Sequence, residues 1–84
     1  MNQSRYRVEF RLNVYDISLE VIRECLAELG EDLNLEEEAR ENTKNRIIKI
    51  HLHTDNPHLV FDACSEFGRL KQVKISEVTT YGTK

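Results

Sequence analysis

Lys49-Ile50-His51-Leu52-His53 sets an ammonium and two imidazoles at alternate positions in an otherwise apolar run. Side chains on a strand alternate between faces, so Ile48, Ile50 and Leu52 make one apolar stripe while Lys49, His51 and His53 share the opposite face. Two adjacent imidazoles can ligate one metal ion, donate to a phosphate or carboxylate, or serve as polar packing partners on a surface. Thr54-Asp55-Asn56 then supplies capping side chains and Pro57 a preset φ, so the run from Arg46 to Phe61 reads as strand, turn and helix. His58 adds an imidazole at the helix start and reads as solvent-exposed.

The elements that position the pair follow from periodicity. From Arg5 to Val14 the sequence alternates, with Tyr6, Val8, Phe10, Leu12 and Val14 on one side and Arg5, Arg7, Glu9, Arg11 and Asn13 on the other, which predicts a strand with one buried face. Asp16 or Ser18 can cap the helix that follows. In it, Leu19, Ile22, Leu26 and Leu29 fall at helical spacing, and Gly30 sits where a left-handed residue would end the helix. A second strand is expected from about Asp32 to Glu38, then a polar hairpin loop through Asn42-Thr43-Lys44-Asn45. The central strand runs from Arg46 to Thr54, and Pro57 opens a second helix with Val60, Phe61, Cys64 and Phe67 inward and Gly68 as its stop. Val73 and Ile75 alternate with Gln72, Lys74 and Ser76 in a last strand. The tail from Thr79 to Lys84 carries no pattern and is expected to fray.

The order βαββαβ gives two split βαβ halves, and right-handed crossovers put both helices on the same side of the sheet. The expected architecture is an α+β ferredoxin-like sandwich: a four-stranded, antiparallel-type mixed sheet in order 4-1-3-2, with strands one and three as central, parallel neighbours. One sheet face stays open. On it Arg5, Arg7, Glu9 and Arg11 would lie beside Lys49, His51 and His53, with Lys74 from the last strand, which predicts a face rich in positive charge.

Composition limits the alternatives. Eighty-four residues with 39% hydrophobic and 32% charged side chains make one soluble domain, with its core at about 5–78. No apolar run approaches the roughly 20 residues of a spanning helix, and the N-terminus lacks the apolar stretch of a secretory signal, so a cytoplasmic location is expected. The formal charge of −3 divides by segment: from Asp16 to Glu41 ten acids oppose two bases, a local −8, and the remainder is +5. Cys25 and Cys64 lie in helical apolar patterns and read as buried packing residues.

Lys49-Ile50-His51-Leu52-His53-Thr54-Asp55-Asn56-Pro57 resembles the Lys-hydrophobic-His-hydrophobic-His-Thr-(Asp/Asn)-Asn-Pro signature of the middle domain of the bacterial fatty-acid kinase ATP-binding subunit, in the dihydroxyacetone-kinase-like family. Tyr6-Arg7-Val8-Glu9-Phe10 resembles that domain's Tyr-Cys-x-Glu-Phe strand, Leu26 to Leu33 its Leu-x-x-Leu-Gly-Asp-Ser-Leu helix end, and Phe67 to Ile75 its Phe-Gly-x-Leu ending. The resemblance runs from about Arg5 to Val78. It implies a piece of a kinase that moves phosphate from ATP to a fatty acid held by a separate DegV-type binding protein. It also implies a zinc site from the two histidines and the first-strand cysteine. Arg7 stands at that cysteine's position, a permanent cation that cannot ligate and repels Zn²⁺.

Three roles for the open face follow. A partner protein or adjacent kinase domain docks on it; or zinc binds through His51 and His53 with Glu9 as a degenerate third ligand; or a small anion, phosphate or carboxylate, binds among Arg7, Arg11, Lys49, His51, His53 and Lys74. A homodimer through the same face is a variant of the first. RNA-recognition domains share this architecture but stack bases on exposed aromatics of the two central strands, whereas Tyr6 and Phe10 have core parity. Catalysis by this chain alone is not expected, because phosphoryl transfer requires a phosphate cradle and carboxylates for Mg²⁺. The three glycines, Gly30, Gly68 and Gly82, form no phosphate loop.

Overall fold

Alternation in the first ten-residue strand and helical spacing after it produce the expected order of elements. The computed structural model describes residues 5–40 and 44–78. They form β1 (Tyr6–Tyr15), α1 (Leu19–Ala27), β2 (Glu31–Arg40), β3 (Asn45–Thr54), α2 (Pro57–Ser65) and β4 (Gly68–Glu77). The sheet order is β2-β3-β1-β4, the expected arrangement read from its other edge. The fold is a ferredoxin-like α+β sandwich.

One expectation is corrected. β1 and β3 are antiparallel, as are β1 with β4 and β2 with β3, so the sheet is antiparallel rather than mixed. The reason is topological: the βαβ crossover returns β2 parallel to β1, and β3, joined to β2 by a hairpin, must oppose both.

Val8, Phe10, Leu12 and Val14 of β1 and Ile48, Ile50 and Leu52 of β3 are fully buried against Ile22 and Leu26 of α1 and Val60 and Cys64 of α2. Phe61 meets Phe10 edge to face at 5.7 Å between ring centroids. Each such side chain contributes on the order of 1.5–3 kcal/mol relative to exposure. Burial pushes the Cys64 thiol up to about 12, with Cys25 adding to the shift, so Cys64 behaves as a small apolar core residue. Cys25 is only half-buried.

Both helices are nine residues long, shorter than the sequence pattern suggests. Ser18 caps α1, its hydroxyl accepting from the Val21 N–H at 3.2 Å. Leu29 lies beyond the helix, and its N–H donates to the Leu26 carbonyl. Phe67 likewise lies beyond α2. Asn56 occupies the N-cap of α2 without a capping side-chain bond. The local bond comes from Thr54, whose hydroxyl accepts from the Asn56 N–H at 3.0 Å and donates to the Leu29 carbonyl at 2.8 Å. Asp55 accepts from the Arg5 N–H at 2.7 Å, tying the start of β1 to this corner.

The glycines are not left-handed helix stops, since neither has positive φ. A Cβ at Gly30 would collide with the His53 carbonyl oxygen and come within 2.7 Å of Leu52 Cδ1, and one at Gly68 would collide with the Asn13 carbonyl. Close backbone approach, not a turn conformation, is what requires glycine at both. Positive φ falls instead on Asp16 (58°), Asp32 (53°) and Gln72 (54°). The last two sit where the pairing register shifts, in β2 between Glu31 and Asn34 and in β4 opposite the Glu9 to Arg11 stretch of β1. The tail from Thr79 and loop residues 41–43 lie outside the described residues.

Candidate functional site

Because both helices cover one side of the sheet, the other side presents the outward residues of all four strands. Register lines them up in rows from β2 to β4. The middle row is Asn34, His51, Glu9 and Lys74; on one side of it lie Glu36, Lys49, Arg11 and Lys71, and on the other Glu31, His53, Arg7 and Ser76. The structure therefore gathers Arg7, Glu9, Arg11, Lys49, His51, His53 and Lys74 on one surface. His58 is elsewhere, exposed on α2 and 3.3 Å from Asp62 one turn along.

The face is basic on β1, β3 and β4 but not on β2. Sequence reading treats Glu36-Glu37-Glu38 as solvated surface, and it assigns no role to Asp32. In the fold β2 brings Asp32, Glu36 and Glu38 beside the cations. Arg11 donates to both Glu38 oxygens, at 2.6 and 3.1 Å, and to Gln72 Oε1 at 2.7 Å. This forked contact holds the Glu38 carboxyl below its ordinary 4.5 and raises Arg11. Lys49 Nζ lies 3.3 Å from Glu9 Oε2 on the diagonal between β3 and β1. Hydrogen bonding to Lys49 is the main cause holding Glu9 below 4.5, with Lys74 and His51 adding to it.

The two imidazoles stand 5.4 Å apart between centroids, inclined at 66°. Asp32 Oδ2 is 3.0 Å from His53 Nδ1. A carboxylate there favours the Nδ1–H tautomer and turns the Nε2 lone pair outward. Arg7, directly opposite His53, is exposed and has no partner among the described residues.

Two shallow depressions flank Glu9. One of about 320 Å³ is lined by Glu9, Arg11, Gln72, Val73 and Lys74, and the other of about 230 Å³ by Glu9, Asn34, Glu36, Lys49 and His51. The residues fit zinc poorly. Two imidazoles are half a tetrahedral set, Glu9 is engaged by Lys49, and Arg7 stands beside His53. Among the described residues no three His, Cys, Asp or Glu side chains converge as a metal would require. No helix among them is long and apolar enough to cross a membrane.

An antiparallel sheet backed by two helices, with a polar, pre-paired open face, defines a ferredoxin-like α+β domain built for surface contact. The sequence matches the FakA-like middle domain of fatty acid kinases over residues 3–82, and the chain belongs to that family. A comparison with curated proteins finds no match.

Proposed function

We infer that this domain is a non-catalytic interaction and regulatory module of a fatty-acid-kinase-like system, and that its open sheet face docks a partner protein or an adjacent kinase domain. The observation that carries this reading is the uncovered four-strand face whose polar groups are already fixed by cross-strand bonds. Arg11 is held by Glu38 and Gln72, Glu9 by Lys49, and His53 by Asp32. Groups held this way lose little further freedom on binding, so more of the contact energy appears as affinity. Membership of a middle-domain family supports a neighbour on such a face. The DegV-type fatty-acid-binding protein of the kinase system is the proposed partner outside the chain.

The carboxylates on the face support a non-catalytic role, because Glu9 and Glu38 are neutralised by Lys49 and Arg11 instead of standing free for Mg²⁺. The test is titration of the isotope-labelled domain with a DegV-type protein and, separately, with the nucleotide-binding domain of a fatty-acid kinase. The reading requires amide shifts at outward positions of β1 and β3, weakened by Arg7→Glu. Shifts confined to α1 and α2 with either protein would transfer docking to the helical layer and overturn it.

A further inference from the structure

The basic border of the open face is the edge strand β4, which pairs only with β1 and so leaves one side of its backbone without a strand neighbour. Register divides its side chains cleanly. Arg69, Lys71 and Lys74 oppose Asn13, Arg11 and Glu9 on the open face, while Leu70 and Ile75 oppose Leu12 and Val8 on the helix side. Val73 and Ile75 remain 44% and 49% exposed there. Arg69 and Lys71 have no ion-pair partner among the described residues, and the Glu9 opposite Lys74 gives its closest contact to Lys49. The opposite border of the sheet, β2, carries Asp32, Glu36 and Glu38.

We propose that β4 receives an extended acidic segment of the docked partner by strand addition, with acidic side chains alternating with apolar ones. In that register the segment's acids face Arg69, Lys71 and Lys74, and its apolar residues continue the row of Leu70, Val73 and Ile75. Charge complementarity selects this occupant. Antiparallel pairing of β4 with β4 of a second copy would bring cations together, which is destabilising on a sheet. Lysines on an edge deter neutral and basic strands, and the same lysines admit an acidic one. The bulge at Gln72 divides the strand, so Val73–Glu77, where the exposed apolar residues lie, is the receiving half.

This inference rests on the docking reading, and the experiment separates the two. The 84-residue chain is titrated with a ten-residue peptide alternating glutamate and valine, followed by amide spectra and fluorescence anisotropy, with a lysine–valine peptide as control. Strand addition requires amide shifts on β4 and β1, at least a tenfold affinity loss in Lys71→Glu/Lys74→Glu, and no binding of the control. Shifts centred on His51 and His53 that ignore the lysine reversals would overturn strand addition while leaving docking on the open face intact. Absence of binding, equal binding of the control, or sedimentation showing β4 already covered in a dimer would also overturn it. A DegV-type protein that binds the open face unaffected by the lysine reversals would do the same.

Discussion

Asp32 Oδ2 lies 3.0 Å from His53 Nδ1, although register places Glu31, not Asp32, opposite His53. The bulge makes the contact possible. With φ at 53°, Asp32 leaves the regular ladder and its carboxylate reaches the imidazole on the next strand. Aspartate is among the few non-glycine residues that tolerate this conformation. Asp32→Gly removes the carboxylate but relieves the backbone, and should change stability by no more than about 0.5 kcal/mol; Asp32→Ala loses the carboxylate and keeps the strain, and should cost about 1–2 kcal/mol. Urea unfolding measures both. Imidazole ¹⁵N spectra should show the Nδ1–H tautomer of neutral His53 in the parent chain and a mixture in either variant.

Zinc distinguishes the docking reading from the metal reading. Calorimetric titration of the metal-free chain should give no binding at micromolar affinity, because Glu9 is engaged by Lys49 and Arg7 places a cation opposite His53. Arg7→Cys should create a micromolar or tighter site, abolished again by His51→Ala or His53→Ala. Micromolar binding by the unmodified chain, lost in both alanine variants, would establish His51, His53 and Glu9 or water as ligands.

How much of this was legible in the sequence depends on what each residue type records. Alternation in β1 and helical spacing in α1 reflect burial, so the element order and the inward residues Val8, Phe10, Ile22, Leu26, Ile50 and Cys64 could be read directly. Strand direction between β1 and β3 followed from connectivity and was misread. Gly30 and Gly68 looked like helix stops because glycine after a helix is usually left-handed; their actual constraint is a backbone carbonyl from a strand distant in sequence. The bulges at Asp32 and Gln72 had no glycine to announce them. Without those bulges the Asp32–His53 and Gln72–Arg11 contacts, which define the open face, were not visible.

The two glycines therefore have a common test. Gly30→Ala and Gly68→Ala must each push apart two stretches of backbone that cannot yield as a flexible side chain would. Each should lower stability by about 1–3 kcal/mol, seen as a reduced thermal midpoint by circular dichroism. A neutral result at either position would mean that the backbones stand farther apart there and a methyl group fits between them.

Acid should weaken the open face before the core. Lys49 holds Glu9, and Arg11 holds Glu38, below the ordinary 4.5. A carboxyl depressed on folding adds stability that is complete above its unfolded pKa and lost as pH falls through its folded value. Stability should therefore be insensitive to these two groups at neutral pH and decline only below about pH 4.5. Carbonyl-detected titration should place both midpoints below 4.5 and return Glu9 toward it in Lys49→Met. A Glu9 midpoint unchanged by that substitution would show that the Lys49 contact does not persist in solution.

Thr54 joins the His-bearing strand to both helical connections. Its side chain is buried, donates to the Leu29 carbonyl and accepts from the Asn56 N–H, so one hydroxyl fixes the exit of α1 and the entry to α2. Thr54→Val keeps the shape and leaves both backbone groups short of a partner, at a cost of about 1–3 kcal/mol by chemical denaturation. Thr54→Ser keeps the hydroxyl and should recover most of it. Amide exchange at Asn56 should accelerate in the valine variant and not in the serine variant, a local signature that a general loss of packing would not produce.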